Sequence, residues 1–91
     1  MVSKGVECLA RQLDGLVRAM VDDATSLEIR TEHGSNGQTR FIVFISASER
    51  GKLIGRGGQN IQALRRIFRA IGKKGDLFVF IDIDESIGGP G

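Results

Sequence analysis

The chain has 91 residues, 41% of them apolar and 26% charged, which suits one small domain with a modest core and leaves no length for a second. It carries 13 Lys/Arg against 11 Asp/Glu, and it has no apolar run long enough to span a bilayer and no basic-then-apolar leader, so a cytoplasmic protein without a membrane partner is expected. With one histidine and one cysteine it offers no internal disulfide, no metal-ligand set and no nucleophile–base pair, so it is expected not to be an enzyme and to need no cofactor or metal.

In chain order, Val6, Leu9, Leu13, Leu16, Val17, Met20 and Val21 recur at three- and four-residue spacing from Ser3 to about Val21. They draw one apolar stripe on an amphipathic helix, with Ser3 as a plausible N-cap. Cys8 lies within this pattern and reads as a small buried hydrophobe. Leu27–Thr31 alternates apolar and polar residues and reads as a half-exposed strand. A polar glycine-rich loop from His33 to Gln38 joins it to a second strand, Thr39 to Ile45, in a hairpin. The second strand is apolar on both faces, as expected of a strand central in its sheet. His33, alone in its loop, reads as solvated rather than as a metal ligand.

Ser46-Ala47-Ser48-Glu49 fits a capping box and opens a short helix toward Leu53. A second helix follows the glycines at 55, 57 and 58, with Ile61, Leu64, Ile67, Phe68 and Ile71 on one side and Arg65, Arg66, Arg69 and Lys73 largely on the other; Gly72 is its expected C-cap. Asp76 to Ile83 makes the third strand, whose Phe78 and Phe80 share a face and are expected in the core rather than stacked on bases. Asp82, Asp84 and Glu85 end this strand without the spacing of a cation loop. Residues 1–85 thus form one domain, and the Gly/Pro-rich residues 86–91 a flexible tail.

The stretch Gly55-Arg56-Gly57-Gly58 is the most informative. Three glycines in four residues are too costly for a packed helix, and a turn this bare lets another chain come close. It ends at a helix N-terminus, where unpaired N–H groups and the positive end of the macrodipole favour phosphate. A P-loop needs Gly-Lys-Ser or Gly-Lys-Thr, which is absent, and a dinucleotide fingerprint from Gly55 needs glycine where Asn60 stands. Charge clusters around the same turn: residues 46–75 hold eight Lys/Arg against one Asp/Glu, residues 1–45 five against six, and residues 76–91 none against four. Such a footprint suits a polyanion-binding surface, although basic residues late in the helix also complement its dipole.

Ile54-Gly55-Arg56-Gly57-Gly58-x-x-Ile61, with helices on both sides, resembles the G-x-x-G core of the KH RNA-binding domain. The order α-β-β-α-α-β is that of the type II KH fold: an α+β domain with helices packed on one face of a three-stranded sheet. In size and layout the chain looks like the small stand-alone bacterial KH proteins, which act as RNA-binding proteins or RNA chaperones and pair with a second KH-containing protein or with themselves as a homodimer. The resemblance implies that Gly55, Arg56, Gly57, Gly58 and Gln59 hold the backbone of single-stranded RNA, while Ile54, Ile61 and Leu64 line an apolar floor under the bases. Lys52, Arg56, Arg65 and Arg69 would add counter-ion release. The alternative is a KH-fold adaptor or dimerisation module with little RNA binding of its own.

Overall fold

The computed structural model describes residues 4–85, so the Ser3 cap and the 86–91 tail lie outside the described residues. Helix α1 spans Lys4–Met20, strand β1 Glu28–His33, strand β2 Gln38–Phe44, helix α2 Ala47–Ile54, helix α3 Gln59–Lys74 and strand β3 Phe78–Asp84, with a single 3₁₀ turn at Arg56–Gly58. The order is the expected α-β-β-α-α-β. The sheet order is β1-β2-β3, so β2 is central. β1 and β2 form the antiparallel hairpin, closed by Gly34 N–H donating to the Gln38 carbonyl at 2.8 Å. β2 and β3 run parallel, which their connection through two helices requires. β1 extends two residues past the expected Thr31, leaving a shorter loop.

Pleating assigns the faces. Phe41, Val43, Val79 and Ile81 point to the inner face and are buried against Val6, Leu9, Leu13 and Val17 of α1, Leu53 of α2, and Ile61, Leu64 and Phe68 of α3. Gly72 lets α3 sit close to β3: a Cβ there would lie 2.6 Å from Val79 Cγ2 and 3.0 Å from the Leu77 carbonyl oxygen. Gly72 is therefore a contact inside the helix. The helix ends two residues later, with Gly75 N–H bonded to the Gly72 carbonyl, which corrects the expected cap. On the outer face Phe44 is covered by Arg30, whose guanidinium carbon lies 4.7 Å from the ring centroid, a cation–π contact.

Several expected core residues are solvent-facing. Phe78 and Phe80 are 63% and 44% exposed, because the face of β3 that α3 covers carries Val79 and Ile81 instead. Ile67 and Ile71 lie on an exposed flank of α3, whose buried positions are Ile61, Leu64, Phe68 and Gly72. Leu16 is likewise exposed, and Cys8 stands off the α1 stripe in solvent, where Gln12 Nε2 reaches its sulfur at 3.5 Å.

The capping box takes a different form. Ser46 is the N-cap but makes no side-chain cap bond. Glu49, nearly buried, accepts the N–H groups of Asp22 at 2.8 Å and Asp23 at 3.2 Å, tying the exit of α1 to α2. Those two N–H groups, Asp22 first, together with Lys52, hold the Glu49 carboxyl below its ordinary value near 4.5 against the opposing effect of burial. A depressed carboxylate contributes stability that is complete above its ordinary pKa and lost as the pH falls through the lowered value. Urea midpoints of the native protein are therefore expected to drop below about pH 4.5, whereas Glu49→Gln is expected to be less stable near neutrality and to show a flatter acid limb. Parallel acid limbs would remove Glu49 from this role.

Candidate nucleic-acid interface

The turn between α2 and α3 is built by three glycines, all with positive φ: Gly55 at 78°, Gly57 at 62° and Gly58 at 78°. Gly55 ends α2, donating its N–H to the Gly51 carbonyl at 2.9 Å, and Gly58 closes the 3₁₀ turn onto the Gly55 carbonyl at 3.0 Å. The Gln59 N–H is taken by the Arg56 carbonyl. Asn60 Nδ2 reaches back to the Lys52 carbonyl at 3.0 Å and so fastens α3 to the end of α2. The Arg56 and Gly57 N–H groups have no hydrogen-bond partner among the described residues. Gly58, the N-cap of α3, has no side chain with which to satisfy the first helical N–H groups. Arg56 and Gly57 are exposed, and nothing lies within 4 Å of the Cβ position at Gly57. The turn thus presents unpaired donors, a cation and open space together, the requirements for close approach of a phosphate.

Beside the turn a cleft of about 580 Å³ runs along β3. Ile54 and Ile61, flanking the turn, form its apolar wall; Arg65 lies on the α3 side, and residues 82–85 and the outer-face residues Arg40 and Ile42 complete it. β3 is therefore the strand that walls the groove. Arg65 Nε donates to the Ile81 carbonyl at 2.9 Å, and Asp82 lies 3.4 Å from Arg40 Nε and 3.9 Å from Arg65 Nη2. The wall carries Asp82, Asp84 and Glu85 against Arg40 and Arg65. The carboxylates outnumber the cations there, so the cleft wall is less favourable to an anion than the turn.

The residues singled out from sequence divide into four groups. Gly55, Arg56, Gly57, Gly58 and Gln59 form the turn and the start of α3, with Ile54 and Ile61 at the cleft. Leu64 is buried in the core beneath them. Lys52 does not face the turn: helical side chains lean toward the N-terminus of their helix, and Nζ sits 2.7 Å from Asp22 Oδ2 and 3.3 Å from Glu49 Oε2. Asp22 and then Glu49 raise its pKa against partial burial. Arg65, Arg69 and Lys73, four residues apart, make a row beside β3, in which Arg65 is held by the strand and Arg69 is farther from the turn. Arg40 and Ile42 were not anticipated as lining; only the parallel register, which sets Ile42 opposite Asp82, brings them there.

A helix–glycine turn–helix unit crossing between two parallel strands, with its groove along the second, defines a KH domain of the second type. The family model described as "KhpA/KhpB, KH domain" matches residues 10–83, and the chain belongs to that family. It is 30% identical over 76 residues to the RNA-binding protein KhpA of Streptomyces coelicolor, covering 84% of this chain and 95% of that protein. It is 32% identical over 73 residues to the RNA-binding protein KhpA of Mycobacterium tuberculosis, covering 80% and 90%, and 30% identical over 73 residues to that of Mycobacterium leprae. No solved structure matches the chain significantly.

Proposed function

We propose that this protein binds single-stranded RNA without chemistry, as an RNA chaperone or post-transcriptional regulator in the cytoplasm. The observation that carries the reading is the three-glycine turn, with its unpaired N–H groups and exposed Arg56 opening onto the β3 cleft. The names of the relatives support RNA as the ligand. Phosphates sit on the turn N–H groups and Arg56, bases enter between the Ile54–Ile61 wall and the edge of β3, and about four unpaired nucleotides fill the groove. Arg65 and Arg69 add cationic character along the path, while Lys52 acts indirectly by fixing α2 to the exit of α1. Among the described residues no helix is long and apolar enough to cross a membrane.

The test is binding of a labelled single-stranded RNA pool at two salt concentrations by the native protein and by Arg56→Asp/Gly57→Asp. Gly57 has room for a side chain, and Asp tolerates its left-handed backbone, so circular dichroism should be unchanged. The variant is expected to lose binding by more than about tenfold, and the native log–log salt slope to be roughly 0.7 per phosphate neutralised. Equal binding by both proteins would end the clamp reading. A second reading, an adaptor that pairs with another KH protein or with itself, is favoured by Ile67 and Ile71, 49% and 42% exposed on the α3 flank away from the basic row. Sedimentation over a concentration series is expected to show a rising mass if that flank self-associates; a constant monomer mass would oppose it.

A further inference from the structure

The open edge of β3 continues beyond the cleft just described. Past Arg65, a groove of about 310 Å³ is lined by Arg69, Lys73, Leu77, Phe78, Val79 and Phe80. No carboxylate lines it, in contrast to the first cleft. All five aromatic residues of the chain are phenylalanines. Phe41, Phe44 and Phe68 are buried, so Phe78 and Phe80 are the two left in solvent. They occupy alternate positions of β3 and project from one face, about 7 Å apart along the strand. That is twice the separation of atoms in contact, which admits a flat ring between them or one over each. Arg69 and Lys73 are exposed and have no ion-pair partner among the described residues.

We propose that Phe78 and Phe80 form a second nucleobase site, in which unpaired bases of the RNA strand held at the glycine turn stack on the two rings while Arg69 and Lys73 meet the intervening phosphates. The inference rests on the RNA-binding reading above and extends that site along the same strand edge. Continuity supports one strand occupying both grooves. The basic row Arg65, Arg69 and Lys73 borders the whole edge, and Phe80 lies four strand residues from Asp84 at the first cleft, about 13 Å. Arg65, bonded to the Ile81 carbonyl, forms the sill between them. Charge selects the occupant. A groove with two cations unpaired among the described residues, no carboxylate and exposed π faces complements a polyanion carrying flat rings, whereas a protein segment would have to bring its own carboxylates. Stacking of this kind is tolerant of sequence, since every base has a π face, so the second site lengthens the footprint rather than reading a base.

The experiment compares a tetranucleotide, which fills only the first cleft, with a decanucleotide, using native protein and Phe78→Leu/Phe80→Leu. Leucine keeps apolar area on these exposed positions and removes the ring. The decanucleotide is expected to bind the variant about tenfold more weakly, with tetranucleotide affinity unchanged. Arg56→Asp/Gly57→Asp is expected to weaken both. Since the chain has no tryptophan, Phe78→Trp places a single reporter in the groove, and the decanucleotide should quench it where the tetranucleotide does not. If the leucine variant binds both lengths as the native protein does, or if the indole fluorescence of the Phe78→Trp protein ignores bound decanucleotide, the second site is overturned while the turn reading stands. A leucine variant altered in mass but not in RNA affinity would make the groove a protein contact and overturn it equally. Native protein binding neither length would defeat the underlying reading itself.

Discussion

Replacing Gly55 with alanine is expected to destabilise the fold by about 3 kcal/mol and to weaken RNA binding with it. At φ 78° and ψ 169° its backbone lies in a region open essentially to glycine alone, and holding another residue there costs about 1–3 kcal/mol. The added Cβ would also stand 2.7 Å from Asn60 Cγ and 2.8 Å from its Nδ2. Asn60 must then swing away, giving up its hydrogen bond to the Lys52 carbonyl and leaving that carbonyl at the end of α2 unpaired. Gly57→Ala is the control: its φ is also positive, but its Cβ meets nothing within 4 Å, so the cost should be about 1–2 kcal/mol. Urea denaturation followed by far-ultraviolet circular dichroism separates the two. Equal losses would show that the Asn60 contact is not what reserves position 55 for glycine.

The second large effect is expected at Phe68. Its ring is 1% exposed and joins α3 to the inner face of the sheet beside Leu64 and Gly72. Truncation to alanine should cost about 3–5 kcal/mol through lost burial and the cavity left behind. For a small domain with a total stability on the order of 5–15 kcal/mol, this removes a large share and brings the midpoint close to physiological temperature. Phe68→Leu should cost less than about 1.5 kcal/mol. Phe80→Ala, equally aromatic but on the outer face, should stay within about 0.5 kcal/mol of native stability. If Phe80→Ala proved as damaging as Phe68→Ala, the assignment of the two faces of β3 would be wrong.

That assignment is where the sequence was least legible. Residues 77–81 are apolar at every position, so alternation cannot choose a face, and bulk favoured the phenylalanines. What decides is tertiary: Gly72 lets α3 approach only where Val79 stands, while the register pairs Phe78 with Gln38 and Phe80 with Arg40 on the solvent side. The pairing of Lys52 was hidden for a related reason, since one of its partners, Asp22, is 30 residues distant. Its lean toward Glu49, three residues earlier, was nevertheless implicit in helix geometry. Cys8 was also recoverable, because it falls off the Val6–Leu9–Leu13–Val17 stripe. The element order and the glycine turn were readable because both rest on local signals: periodicity, and a backbone conformation that glycine adopts cheaply. The makeup of the cleft, where Arg40 and Ile42 come to lie beside residues 82–85, depends on pairing between strands distant in sequence, which no local pattern encodes.

The parallel pairing of β2 with β3 also sets an order of assembly. Each register pair, from Gln38↔Phe78 to Phe44↔Asp84, is 40 residues apart in the chain, whereas the β1–β2 hairpin closes over a four-residue loop. Chain-closure entropy makes the hairpin the early event and the docking of β3, with both crossover helices already in place, the late one. Because β3 supplies the wall of the cleft and follows every other described element in the chain, a growing polypeptide presents the glycine turn before it has any groove beside it. On the proposed RNA-binding reading, a complete groove for the strand is thus something the chain acquires only in its final folding step.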